Sequence, residues 1–232
     1  SGFYRKISFR NISVLLRLIR SLSMAKKIIK DFRPDVAVGV GGYASGPVLW
    51  IAGRMRIPTL IQEQNSHAGI TNRLLARRAS VICVAYDGMD KYFPERKIIK
   101  TGNPVRHKYD NLNVLKVEAL KYFVLSKDKQ VILVLGGSLG AGSINRSLSM
   151  SIQKMISSDL QWLWQTGMYY YEDIKSIVDA GSAQSVSVHG FISRMDYAFA
   201  AADIIVSRAG AGTISELCLV GKPVILIPSP NV

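Results

Sequence analysis

The sequence predicts an α/β protein made of two Rossmann-like, doubly wound parallel-sheet domains. Three observations carry this: short β-branched runs alternate with helical patterns, several runs open directly into glycine-rich turns, and a polar stretch over residues 107–130 separates two similar halves. Strands that alternate with helices in this way pair in parallel and are covered on both faces. With 232 residues and 48% hydrophobic side chains, the chain has the apolar material for two modest cores.

In chain order, Ile12, Leu15, Ile19, Leu22 and Ile29 recur at helical spacing over residues 11–32, with Arg10, Arg17, Arg20 and Lys27 largely off that stripe. The pattern predicts a basic amphipathic helix that Arg33-Pro34 ends. Val36 to Val40 reads as a buried strand opening into a tight Gly41-Gly42 loop, with a helix from about Pro47 to Met55. The cycle repeats as strand Thr59–Ile61, helix Ala68–Arg77, strand Val81–Val84 and strand Ile98–Thr101. Gly102-Asn-Pro-Val-Arg106 has turn chemistry, and the domain boundary is placed after it, giving domains 1–106 and 107–232. The second half runs as strand Val131–Leu135, a glycine-rich loop, helix Ser143–Ile156, strand Gln161–Gln165 and a helix after Tyr169. Strand Val186–His189, strand Ile204–Ser207, helix Thr213–Val220 and strand Pro223–Ile227 complete it.

Lys and Arg outnumber Asp and Glu by 30 to 16, a net charge of +14 that calls for an anionic partner. Within residues 1–30 the charged side chains are Arg5, Lys6, Arg10, Arg17, Arg20, Lys26, Lys27 and Lys30, with no acid, so the excess is concentrated in one region. Apolar runs such as Val131–Leu135 and Val224–Ile227 fall far short of the roughly 20 residues of a membrane span. Cys83 and Cys218 read as small buried hydrophobes in a reducing compartment, not as a disulfide or metal framework. Ser1 in place of Met and a turn-like Pro228-Ser-Pro-Asn231 at the other end suggest an excerpt of a longer protein.

The strongest chemical signal is Leu135-Gly-Gly-Ser-Leu-Gly-Ala-Gly-Ser143, a glycine-rich turn between a strand and a helix. Glycines let backbone approach a phosphate, and free N–H groups with the helix dipole stabilise its charge. An ordinary tight turn is the plain alternative. The spacing of Gly137, Gly140 and Gly142 does not fit a dinucleotide fingerprint, and the next strand ends in Trp164-Gln165-Thr166-Gly167 without an acid for a ribose. Gly136-Gly-Ser-Leu-Gly140 also matches a nucleophile elbow, for which His189 with Asp173 or Asp179 would have to complete a triad within about fifty residues.

Ser207-Arg-Ala-Gly-Ala-Gly-Thr-Ile-Ser-Glu216 is a second strand, turn and helix start. Thr213 and Glu216 have capping-box spacing, which alone would explain both. Arg208 and the small residues beside it instead make an anion-sized hollow at a helix N-terminus. No Asp-x-Asp pair and no His/Cys cluster supplies metal ligands. The basic helix lacks the interleaved aromatics of a nucleic-acid binder, so nucleic acid is not indicated as a partner.

These segments, taken in order, resemble the MurG family of lipid-linked N-acetylglucosaminyltransferases of bacterial peptidoglycan synthesis, which has the GT-B fold. The resemblance runs through Pro34-Asp-Val, Gly41-Gly-Tyr-Ala-Ser-Gly-Pro47, Glu63-Gln-Asn65 with Ala68-Gly69, and Gly102-Asn-Pro-Val-Arg106. It continues through Gly136-Gly-Ser-Leu-Gly-Ala141, Phe191-Ile192, and Ser207-Arg-Ala-Gly-Ala with Thr213-Ile-Ser-Glu216. It implies inverting transfer of N-acetylglucosamine from UDP-N-acetylglucosamine to undecaprenyl-linked lipid I, giving lipid II, without a metal or cofactor. Residues 1–106 would then be the C-terminal part of an acceptor- and membrane-binding domain, and 107–232 the N-terminal part of a UDP-sugar-binding domain.

By position, Ser138 and Thr213 would contact the diphosphate, with Arg106 close to it at the domain junction. Ile192 would meet uracil through its backbone and Glu216 would hold the ribose, with Arg208, Ala211, Gly212, Ile214 and Ser215 completing the donor site. Asn65 would bind UDP-N-acetylglucosamine from the interdomain cleft, and Tyr43 and Glu63 would lie on the acceptor side. Gly212 stands where many relatives have a larger apolar residue. The family's histidine-bearing first loop, near its proposed catalytic base, would precede Ser1, and its glutamine-bearing sugar loop would follow Val232. The same resemblance implies a peripheral protein on the cytoplasmic face of the bacterial inner membrane. Leu15, Leu16, Ile19 and Leu22 with Arg10, Arg17 and Arg20 would be its patch on anionic lipid, some of the leucines packing inside. Other GT-B enzymes, such as a diacylglycerol glycosyltransferase or a UDP-sugar 2-epimerase, and a non-catalytic nucleotide-sugar or membrane-binding module remain the alternatives.

Overall fold

The computed structural model describes residues 9–105, 109, 112–137, 139–181 and 183–229, with side chains from Val14 onward. Arg106, Ser138 and the side chain of Arg10 lie outside this description. The chain divides into two compact units, Ser1–Asn103 and Pro104–Val232.

Unit 1 opens with α1 (Phe9–Phe32), followed by β1 (Ala37–Gly39), α2 (Gly42–Arg54), β2 (Thr59–Glu63), α3 (Ile70–Leu75), β3 (Val81–Val84) and β4 (Ile98–Lys100). The strands form one parallel sheet in the order β1-β2-β3-β4, with Ala37 opposite Thr59, Ile61 opposite Ile82 and Ile82 opposite Ile98. Its core joins Ile29 of α1, Leu49 and Ala52 of α2, Ile61, Leu75, Ile82 and Val84.

Two expectations change in this unit. The first strand is buried on one side only: Ala37 and Gly39 lie inward, while Val36, Val38 and Val40 are exposed. Gly39 lets α2 close in, since a Cβ there would stand 2.2 Å from Leu49 Cδ1. The stripe of α1 also packs only over its C-terminal half. Leu22, Ala25 and Ile29 turn inward, the small Ala25 allowing α1 to lie against α2, while Leu15, Leu16 and Ile19 remain 50%, 62% and 56% exposed.

Unit 2 contains α4 (Leu112–Tyr122), β5 (Gln130–Leu135), α5 (Gly142–Met150), α6 (Ile152–Ser157), β6 (Leu160–Gln165) and α7 (Tyr171–Ala180). It continues with β7 (Val186–His189), α8 (Met195–Ala201), β8 (Ile204–Arg208), α9 (Ala211–Val220) and β9 (Val224–Ile227). Its five parallel strands lie in the order β7-β6-β5-β8-β9. Both faces of the sheet are covered. One cluster packs Leu133, Leu163 and Ile205 against α4, α8 and α9, and the other packs Val134 and Trp164 against α5, α6 and α7.

The polar stretch that separates the two halves in the sequence contains α4, whose Leu112, Ala119 and Leu120 are buried. Lys116 Nζ fastens it to Asp203 Oδ1 at 2.6 Å, and Asp203 Oδ2 accepts Val131 N at 2.9 Å, so α4 is tied to the sheet where β5 begins. The single helix expected over 143–156 breaks at Ser151 into α5 and α6. Cys83 is buried as expected, but Cys218 is exposed on α9.

Candidate functional site

The strand order of unit 2 creates a switch point. From β5 the chain winds outward through β6 and β7, then returns to place β8 on the other side of β5, with Leu135 opposite Ser207. The connections after β5 and β8 therefore diverge and leave a crevice at the carboxyl edge, where doubly wound sheets bind ligands. Both strands end there in glycine-rich turns that open helices, α5 after Ala141 and α9 after Gly210. Among the described residues neither N-terminus has a side-chain cap, so backbone N–H groups and positive dipole ends face the edge.

Glycine is required in the first turn for steric reasons. Gly140 has φ +80°, and a Cβ there would fall 2.1 Å from Thr166 O; a Cβ on Gly167 would fall 2.5 Å from Gly140 N. The two loops thus touch backbone to backbone. Gly137, also at φ +80°, faces open space. Its carbonyl accepts from Gly140 N and from Gln165 Nε2, each at 3.1 Å. Asn145 of α5 reinforces the contact by donating Nδ2 to Thr166 O at 2.9 Å and accepting Trp164 Nε1 at 3.1 Å.

Arg208, half-buried at the end of β8, spans the crevice edge. Its guanidinium donates to Pro228 O at 2.7 Å and to Ser143 Oγ in the first turn of α5, and among the described residues it has no carboxylate partner. The capping-box alternative for Thr213 and Glu216 does not hold. Gly210 is the N-cap, so Thr213 is the third helical residue and lies too far along to cap. Glu216 is half-buried, and its Oε1 accepts the hydroxyl of Tyr109 at 3.4 Å. Ala211, Gly212, Ile214 and Ser215 line the same helical start, with Ser215 Oγ donating to Ala211 O at 3.1 Å. A Cβ on Gly212 would meet nothing within 4 Å, so this wall stands open. Ile192, beyond β7, is 3% exposed and packs in the core.

His189, required by the hydrolase alternative, pairs its Nε2 with Ser187 Oγ at 2.9 Å and not with Asp173 or Asp179. Asp179 is bound to Lys175 on the outer face of α7. Burial holds the imidazole pKa below its ordinary value.

Unit 1 builds its carboxyl edge differently. Glu63, at the end of β2, is 2% exposed and bears four hydrogen bonds. Oε1 accepts Asn65 N at 3.1 Å and Asn65 Nδ2 at 3.2 Å; Oε2 accepts Gly69 N at 3.0 Å and Asn72 Nδ2 at 2.9 Å. The carboxylate is thus the internal support of loop 64–69, and Asn65 is the exposed residue that it orients. Tyr43 is 79% exposed at the start of α2, beside Gly41 and Gly42 at φ +92° and +76°. A separate open groove of about 600 Å³ lies between Ile70, Arg73, Leu74, Arg77, Tyr92 and Phe93, and none of the site residues expected from the sequence lines it.

Sequence reasoning missed Gln165, Asn145 and Tyr109. Gln165 had a signal in its position, at the end of the strand following the glycine-rich turn. Among the described residues, no three His, Cys, Asp or Glu side chains are grouped to hold a metal, and no helix is long and apolar enough to cross a membrane.

Two family models match this chain: the glycosyltransferase family 28 N-terminal domain over residues 1–84 and the family 28 C-terminal domain over residues 131–232. Among curated proteins, the UDP-N-acetylglucosamine–N-acetylmuramyl-(pentapeptide) pyrophosphoryl-undecaprenol N-acetylglucosamine transferase of Parabacteroides distasonis is 56% identical over the whole chain. The protein of the same name from Bacteroides thetaiotaomicron is 55% identical. The chain spans 63% of the length of each. Among solved structures, Acinetobacter baumannii MurG matches with a TM-score of 0.65 and 29% identity, covering 94% of this chain and 59% of that one. A UDP-GlcNAc 2-epimerase from Neisseria meningitidis bound to UDP-GlcNAc shares the fold, with a TM-score of 0.64 and 19% identity over 97% of this chain and 66% of that one.

Proposed function

The chain belongs to glycosyltransferase family 28, and on that premise we propose that it serves the transfer of N-acetylglucosamine from UDP-N-acetylglucosamine to lipid I, forming lipid II for peptidoglycan. The relatives' names support this reading, and one observation in the chain carries it: two uncapped helix N-termini and their glycine-rich turns side by side at the switch point of unit 2. Such an edge suits a diphosphate.

In this reading unit 2 takes the donor. The turn around Ser138 and the start of α9 at Thr213 hold the diphosphate, with Arg106 and Arg208 adding positive charge. Glu216 accepts from the ribose hydroxyls, the backbone of Ile192 meets uracil, and Ala211, Gly212, Ile214 and Ser215 shape the wall. The reaction is an inverting single displacement: an acceptor hydroxyl attacks the sugar C1 as its bond to the diphosphate breaks, and negative charge grows on the leaving UDP. Preorganised N–H groups, dipole ends and Arg208 stabilise that charge most in the transition state. No metal or cofactor is assigned a part.

Unit 1 takes the acceptor, with Tyr43 at its exposed edge, while Glu63 holds the loop that presents Asn65, a residue for UDP-N-acetylglucosamine. The exposed Leu15, Leu16 and Ile19 of α1, with Arg17 and Arg20, suit insertion at an anionic lipid surface. This supports a peripheral place on the cytoplasmic face of the bacterial inner membrane.

The test is direct binding and turnover by the intact protein. UDP binding should saturate, lipid I should be converted to lipid II, and Glu216→Ala should weaken UDP binding by roughly tenfold or more, as loss of a charged acceptor does. Binding of NADH in place of UDP, or UDP binding without any transfer to lipid I, would overturn the proposal.

A further inference from the structure

The last register row of the unit 2 sheet is where its core turns polar. His189, Gln165, Leu135 and Ser207 lie side by side there, on β7, β6, β5 and β8. Gln165 is 5% exposed, and its carboxamide is satisfied at one end only. Nε2 donates to Gly137 O, which fixes the orientation of the amide. Oε1 is buried and meets no donor among the described residues. A buried acceptor without a donor is destabilising, whereas an apolar side chain of similar length would fill the same space without that cost. Core packing therefore explains the size of this residue but not its chemistry.

We propose that Gln165 is a positioning residue for the donor diphosphate, an inference that rests on the reading of unit 2 as the donor-binding unit. By holding the Gly137 carbonyl, Nε2 fixes the backbone of that glycine, whose φ of +80° and open surroundings leave it bare at the carboxyl edge where a phosphate would lie. The Gly140 N–H on the same carbonyl keeps the turn closed. Oε1 gains its donor in the bound state, from a water that gives its second hydrogen to a phosphate oxygen. Gln165 touches no reacting atom; it acts through the loop.

The sequence signal is short: a glutamine ending the strand that pairs alongside the glycine-rich turn. An acid there would repel the Gly137 carbonyl, and a shorter amide would not span the gap.

The experiment compares UDP with uridine, which share base and ribose and differ in the diphosphate. In the intact protein, Gln165→Leu should weaken UDP about tenfold, the equivalent of about 1.4 kcal/mol, while uridine changes less than about twofold. The KM for UDP-N-acetylglucosamine should rise with the UDP Kd, the KM for the acceptor should not move, and Gln165→Glu should behave like the leucine variant. If the leucine variant does not fold, Gln165→Met keeps the length and serves in its place. Equal losses for UDP and uridine, or no loss for either, would overturn the inference and leave Gln165 as core packing. Failure of the unmodified protein to bind UDP would instead sink the donor-site reading itself.

Discussion

The two units support their carboxyl-edge loops by opposite means. Loop 64–69 of unit 1 hangs on a buried carboxylate through directional bonds from Asn65, Gly69 and Asn72. Loop 136–141 of unit 2 is wedged against its neighbour by missing atoms, Gly140 against Gly167, with the Gln165 amide beneath. The first arrangement displays side chains such as Asn65, which both donate and accept hydrogen bonds. The second displays backbone dipoles and suits an anion. One sheet design thus yields two chemistries, depending on whether the loop is held by a charge or by close backbone contact.

The comparison breaks first at Gly140. Gly140→Ala adds a Cβ into the Thr166 carbonyl at a positive φ, and should lower stability by about 3–5 kcal/mol or prevent folding of unit 2. A urea midpoint within experimental error of the parent would refute the steric support. Glu63→Ala should cost about 3 kcal/mol in the same titration, because it strips the acceptors from buried donors. Retention of the parent midpoint would show that water replaces the carboxylate. Asn72→Ala sharpens the account on a smaller scale: it removes one donor to Glu63 but also removes an Oδ1 that is unpartnered among the described residues. The net loss should be about 1 kcal/mol or less.

The smallest effect is on pH. Burial lowers the His189 pKa beneath its ordinary value of 6.5. The unfolded chain then binds its proton more readily than the folded one, so this contribution is complete above 6.5 and declines as pH falls toward the folded-state pKa. Thermal scans between about pH 7.5 and 5.5 should show a modest acid loss that His189→Gln reduces. An unchanged acid slope in that variant would assign the loss to other groups.

Much of the fold was legible because its strands carry compact β-branched runs. Val81–Val84 and Val186–His189 begin and end where the sequence places them. Helix α4 was hidden because Leu112, Leu115, Ala119 and Leu120 are interspersed with Lys116, Glu118 and Lys121, whose density resembles a linker. Helix α8 was hidden for the opposite reason: Ala198 to Ala201 are buried without a break, so no polar face supplies a period. The Thr213-to-Glu216 spacing imitated a cap because pattern alone does not reveal that Gly210 already ends the turn. At the sites, glycine spacing exposed the two turns. The support from Glu63 and Gln165 depends on bonds across the fold, which no local pattern displays.

The Gly140–Gly167 contact also makes the two loops one mechanical body. With backbone on backbone and no side chain to yield between them, neither loop opens without disturbing the other. In hydrogen-exchange measurements the amides of 136–141 and 166–168 should therefore open as a single cooperative unit. A ligand that quiets the first loop should slow exchange in the second, even where it makes no contact.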